Sequence, residues 1–270
     1  MQGLGTEAVT AAYSGLFVIV ENDTQLQGLR RIGRIVADTL ARMQSYACAG
    51  MTTAELDALG GALLEHAGAT SAPQLCYDFP GFTCISVNEE AAHGIPGERV
   101  LQPGDLVNVD VSAMLDGYFA DTGGSFVLAG DETATASLKQ RLCAAALRAR
   151  DIGVAHARTG QRLNDIGRHI ERSIHAAGFR NVRNLCGHGV GAALHEEPTM
   201  RNYYDPRDNE VLQEGQVITI EPFLSTNVSR VRELADGWTL AGRPSSLFAQ
   251  YEHTLVVTRG EPIITTIDNL

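Results

Sequence analysis

Two aspartates carried by one short stretch are the first residues whose types and spacing could do chemistry. Residues 105–126 read DLVNVDVSAMLDGYFADTGGSF, two alternating apolar runs around Asp116-Gly117, the dipeptide favoured by a type I′ hairpin turn. Strand side chains alternate faces, so pairing Leu115 with Tyr118 sets Asp110 opposite Gly123 and Asp121 opposite Ser112. Both carboxylates then share one face and lie diagonally adjacent. Flanking apolar residues predict burial, and two buried carboxylates without a cation repel and raise each other's pKa, a conflict that a shared metal ion removes. The alternative is two solvent-facing aspartates on an edge hairpin.

Three further residues have the chemistry to join them. Residues 187–198 read GHGVGAALHEEP, where glycines let backbone approach closely around His188 and a second histidine, His195, follows. A lone histidine is more often a satisfied core residue than a ligand, so His188 draws its weight from the others. Glu221 ends the β-branched run Val217-Ile218-Thr219-Ile220, which reads as a buried strand that Pro222 terminates. Glu252 precedes Leu255-Val256-Val257 in the run YEHTLVVT. A buried glutamate requires a partner, and for either one an arginine is the alternative. Together, two aspartates, one histidine and two glutamates form an oxygen-rich set suited to divalent Mn, Fe, Co or Zn. No cysteine fits it.

The elements that must position these residues follow from periodicity. Leu26, Leu29, Ile32, Ile35, Val36, Leu40 and Met43 recur at helical spacing from Thr24 onward. A second helix starts at Thr52, where Thr52 and Glu55 make a capping-box pattern, and ends near Gly68. The order recurs, with helices expected from about Thr133 to Ala157 and from about Gln161 to Ala177, the latter closed by Gly178. Leu56-Asp57-Ala58-Leu59-Gly60 in the first half is matched to Leu163-Asn164-Asp165-Ile166-Gly167 in the second. Neither helix-helix-strand half can cover a sheet alone. The expected fold is therefore α+β, two halves about a pseudo-two-fold axis with helices on a curved antiparallel sheet and the site in the crevice between them.

Composition narrows the function classes. With 44% hydrophobic and 20% charged residues in 270, the chain reads as a globular protein, and no apolar run approaches the roughly 20 residues of a membrane helix. The stretch from Ala8 to Val20 lacks an upstream basic residue and a cleavage site, and reads as a loose tail entering a first strand. Five cysteines without regular spacing fit free thiols in a reducing cytoplasm. A net charge of -11 argues against a general nucleic-acid or anionic-membrane surface. Residues 1–16 are expected to be a tail and 17–270 one domain.

These segments resemble the type I methionine aminopeptidases of the pita-bread fold, from about Val18 to Ile267. In that family the hairpin aspartates, the GHG histidine and the glutamates of the TIEP and YEHT strands bind two divalent metals, which implies Asp110, Asp121, His188, Glu221 and Glu252 as ligands here. The resemblance further implies that the metals share a hydroxide for peptide hydrolysis, with Glu221 as proton shuttle. His93, in NEEAAHGIP, and His195 are implied in substrate contact and catalysis. Phe79, Cys84 and Trp238 match the methionine side-chain pocket, where ordinary core packing is the alternative for the two aromatics. Cys76 and Leu194 replace residues that are often aromatic. Implied partners are peptide or nascent-chain N-termini that begin with Met, met in association with the ribosome by a monomer.

Departures from the family pattern are a short extension before Phe17, the lack of a zinc-binding N-terminal module and a small insertion near Pro244. An Xaa-Pro peptidase shares the fold and ligand types but usually adds an N-terminal domain and an Arg-containing final metal strand. A metal-free binding protein on the same fold is the reading from a different class.

Overall fold

The computed structural model describes residues 18–130 and 134–267. The tail expected at 1–16 and the helix start expected at Thr133 lie outside them. The first long helix, α1, runs Asp23–Tyr46 from an Asn22 cap whose side chain accepts from the Gln25 N–H. It buries Leu29, Ile32, Val36 and Met43, the face that the spacing predicts. Helix α2 runs Thr53–His66 behind the predicted capping box, in which Thr52 and Glu55 satisfy each other's backbone N–H groups. A short helix, α3, covers Ala72–Tyr77. Helices α4 (Ala134–His156) and α5 (Leu163–Ala176) open the second half.

The two halves repeat one design. Helices α2 and α5 are both 14 residues long, both end at an alanine with φ −79° and ψ −4° (Ala67, Ala177), and both are followed by a left-handed glycine, Gly68 or Gly178. Each then enters a two-residue strand, Thr70–Ser71 or Arg180–Asn181. This pairing corrects the register of the repeat read from sequence. It aligns Leu56 with Ile166, not with Leu163, so the match of letters is slipped by close to one helical turn. A slip of that size keeps apolar residues on the same helical face, which is why the letters agree while the caps do not.

Among the described residues all strand ladders are antiparallel. The described strands form four hydrogen-bonded sheets and not one continuous ladder. The hairpin Leu106–Leu115/Tyr118–Val127 pairs with Cys84–Val87. In the second half Val217–Ile220 pairs with His253–Val256 and Phe223–Ser225 with Phe248–Gln250. A bridge from Gly124 to Tyr251 joins the halves.

Alternation sorts the hairpin into two faces. Val107, Val109 and Val111 pack with Ile32, Val36, Leu56 and Leu64 into one core, and Ile166, Ile170 and Ile174 meet Ile218, Ile220 and Leu255 in the other. Truncating a fully buried residue such as Leu56 or Ile166 to Ala costs about 2–5 kcal/mol. The opposite face of the hairpin carries Asn108, Asp110, Ser112, Asp121 and Ser125. Of these, Asn108, Ser112, Asp121 and Ser125 are buried polar residues.

Candidate metal centre

The hairpin takes the predicted register, with Leu115 opposite Tyr118, Asp110 opposite Gly123 and Asp121 opposite Ser112. Its turn residues Asp116 and Gly117 have φ of 53° and 83°, as a type I′ turn requires. The two carboxyls come within hydrogen-bond reach of each other. Glu221 and Glu252 occupy a different kind of position. Each sits at the gap where two sheets meet, after Ile220 paired with His253 and before Phe223 paired with Gln250. Pro222 has no N–H to continue the ladder, so the strands part there and both glutamates turn inward, 6% and 1% exposed.

His188 is fixed between two close backbones. A side chain at Gly187 would meet the Thr219 carbonyl at 2.8 Å, and one at Gly189 would collide with the Glu197 carbonyl, which is why glycine flanks the histidine on both sides. Its Nδ1 lies 2.8 Å from the Gly189 carbonyl, an acceptor that holds the ring proton on Nδ1 and leaves Nε2 as an electron-pair donor. Nε2 stands 3.4 Å from Glu221 Oε1 and 3.7 Å from Asp121 Oδ2. Burial lowers the pKa of His188, against the opposing charge of Asp121, so the neutral ring is favoured.

Asp121, His188 and Glu252 bring donor atoms within 4.8 Å of one another. Asp121 Oδ1 and Glu252 Oε1 are buried without a hydrogen-bond partner. Burial, followed by mutual charge, raises Asp110, Glu221 and Glu252 well above the usual carboxylate range, and burial raises Asp121 despite the nearby His188. No lysine or arginine forms an ion pair with any of the four among the described residues, which removes the arginine-paired alternative. A buried cluster of this charge with two orphaned oxygens and a preset imidazole fits divalent cations.

Two other histidines flank His188. His195 has its ring 4.3 Å from that of His188 and its Nδ1 2.5 Å from the Tyr77 hydroxyl. Burial first, then His188 and His93, push its pKa well below normal. His93 meets solvent on one side, yet enclosure by protein and the nearby His188 hold its pKa down as well. Its φ of 55° is rare for a residue with a side chain and is held by Gly94, whose N–H donates to Ser86 Oγ at 3.1 Å.

Phe79 and Trp238 touch edge to face at 5.1 Å. Cys84 lies opposite Asp110 in the ladder, where burial and the nearby aspartates keep it a thiol. Burial raises the pKa of the Cys76 thiol, with the Leu194 backbone as a smaller opposing influence, and Leu194 packs in a cluster with Cys76, Tyr77 and Phe119. Sequence reasoning missed the residues that hold these groups. Tyr77 carries no sequence signal. Glu196 accepts the Ala192 and Ala193 N–H groups at 2.7 Å each, and that of Val18 at 2.8 Å, thereby ordering the loop that presents His195. Thr219 donates to Glu221 at 3.0 Å while accepting the His188 N–H, two positions before the glutamate, a spacing that strand periodicity makes readable.

The model of metallopeptidase family M24 matches residues 27–259. The chain belongs to that family. It is 47% identical over 251 residues to methionine aminopeptidase 2 of Bacillus subtilis (strain 168), covering 92% of this chain and 99% of that one. The M24 fold here superposes on the crystal structure of methionine aminopeptidase from Rickettsia prowazekii with a TM-score of 0.87 at 32% identity, over 93% of this chain and all of that chain. It also superposes on prolidase from Pyrococcus furiosus at a TM-score of 0.71, with 20% identity and 65% of that chain covered, a likeness of fold alone. These matches bear out the expected pita-bread architecture.

Proposed function

We propose that this M24 chain is a metal-dependent aminopeptidase that removes N-terminal methionine from nascent proteins and peptides, preferring a small second residue, and that it is of type I. The observation that carries the reading is the buried set Asp110, Asp121, His188, Glu221 and Glu252 with its orphaned oxygens Asp121 Oδ1 and Glu252 Oε1, in a chain 47% identical to a methionine aminopeptidase. The five residues hold two divalent ions, and residues 17–270 work as one catalytic domain. When bound, the ions supply Lewis acidity and lower the pKa of water toward neutrality.

The remaining chemistry falls to the side chains. Glu221 takes the proton from the attacking water and returns it to the leaving amine. His195 and His93, both biased toward the neutral form, orient the scissile peptide and stabilise the oxyanion, where charge develops most strongly. A phenol donating to Nδ1 of a neutral imidazole puts its proton on Nε2, so Tyr77 leaves His195 a donor for substrate. Phe79, Cys84 and Trp238 receive the thioether side chain, with Cys76 and Leu194 shaping its rim. The rim beside His93 sieves the second residue by size.

The setting we propose is a cytoplasmic monomer acting on chains emerging from the ribosome. No helix among the described residues is long and apolar enough to cross a membrane. The test compares Met-Ala-Ser, Leu-Ala-Ser and Ala-Pro-Ser peptides with Mn or Co supplied. Met-Ala-Ser should be cleaved fastest, and Met-Lys and Met-Phe starts should be spared. Faster cleavage of Ala-Pro-Ser overturns the reading in favour of an Xaa-Pro peptidase.

A further inference from the structure

Glu252 is not held by its strand alone. Its Oε2 accepts a hydrogen bond from Gln250 Nε2 at 3.1 Å, and both side chains are 1% exposed, so no water competes for the contact. The direction of that amide is fixed from behind. Asn108 Nδ2 donates to Gln250 Oε1 at 2.9 Å and lies 3.0 Å from Ser125 Oγ. Ser125 Oγ accepts the Gln250 N–H at 3.0 Å and donates to the Gln250 carbonyl at 3.1 Å. Turning the amide over would set two N–H groups face to face at Asn108 and, with Glu252 ionised as a metal ligand must be, press a carbonyl oxygen against the carboxylate. One orientation survives.

Room for the amide is built into the opposite strand. A Cβ on Gly123 would collide with the Gln250 side-chain amide, and Gly123 is the residue paired with Asp110. The glycine thus lets the Gln250 amide lie against the hairpin at the level of Asp110. With Oε2 tied to Gln250, Glu252 Oε1 is left buried and unpartnered.

We propose that Gln250 is a positioning residue of the metal centre, which, locked by Asn108, pins one oxygen of Glu252 so that the other is presented to the cation. The proposal rests on Glu252 being a ligand. Supporting partners of this kind change metal affinity by about 10–100-fold when removed.

The experiment titrates Mn2+ into the metal-stripped full chain by calorimetry, with far-ultraviolet circular dichroism to confirm folding. Gln250→Met keeps the shape and loses the donor, and should weaken Mn2+ binding by about 10–100-fold. Asn108→Ser leaves Gln250 in place but free to turn, and should give a smaller loss in the same direction. Combined with Gln250→Met it should add little, because both act through one bond. Glu252→Ala should lose affinity outright. If Glu252→Ala loses affinity while Gln250→Met binds within about twofold of the natural chain, the positioning role is wrong although the ligand assignment stands. Unchanged affinity in Glu252→Ala overturns both. Should Gln250→Met fail to fold, Asn108→Ser decides: unchanged affinity there refutes the lock.

Discussion

The proposed metal-ligand cluster and the proposed methionine pocket are built by different means. The proposed ligands sit on strands or at strand ends: Asp110 and Asp121 on a ten-plus-ten-residue hairpin, His188 between paired glycines, Glu221 and Glu252 at the same gap between sheets. Apart from Cys84, which lies on a strand, the proposed pocket is assembled from chain that has no period, with Phe79 after a six-residue helix, Trp238 in a turn capped by Asp236, and His93 in a left-handed conformation. Repetitive backbone fixes where a ligand points. Irregular backbone leaves pocket shape to many small contacts, so single changes there should tune activity where changes at the ligands abolish it.

The largest expected effect is at the ligands. Asp121→Ala and Glu252→Ala should lose bound metal and activity together, since the altered groups supply the orphaned oxygens, while circular dichroism stays native. Full activity in either variant would erase the distinction between the two regions. Next comes His195→Ala, which should keep its metal and lose about 3 kcal/mol of transition-state stabilisation, on the order of a hundredfold in kcat. Elemental analysis showing metal loss equal to that of His188→Ala would assign it to the other region.

A third prediction uses proton linkage. The raised carboxylates hold protons in the folded chain that the unfolded chain releases above about pH 4. Asp110, Glu221 and Glu252 therefore contribute their stability to the metal-free protein fully below that pH, and the contribution is lost as pH rises through their raised pKa values. A divalent ion replaces those protons, so its effect on Tm should be larger at about pH 8 than at about pH 5.5 by scanning calorimetry. An equal rise at both would contradict a cation-filled cluster.

The smallest effects belong to the pocket. Tyr77→Phe should lower kcat by less than about tenfold with little change in KM, and 15N spectra of His195 should show protonation spreading from Nε2 to Nδ1. An unchanged tautomer would remove Tyr77 from the account. Trp238 is the single tryptophan of the chain, so product methionine should shift its fluorescence. Replacing Phe79 by Leu should weaken that shift without altering metal content.

The contrast also explains what was legible in the sequence. The same-face aspartates follow from a period of two and one turn dipeptide, and the structure reproduces their register residue for residue. The capping box at Thr52 was equally readable because it is local. The repeat was recognised but slipped, because apolar letters recur along a helical face and only the Gly68 and Gly178 caps mark the true register. Tyr77 beside His195 and Glu196 under its loop were invisible, since each contact depends on where distant segments cross. The sheet gap that turns Glu221 and Glu252 inward was half visible, through Pro222 on one side only.

The central claim is that the buried carboxylate cluster works by holding divalent cations for cleavage of N-terminal methionine. The most direct measurement titrates Mn2+ into metal-stripped protein and reads, in the same samples, bound metal per chain and free methionine released from Met-Ala-Ser. The account predicts no release without metal, release that rises as the sites fill, and no recovery in Glu252→Ala at the same Mn2+ concentrations. Undiminished release from the fully stripped protein would contradict it.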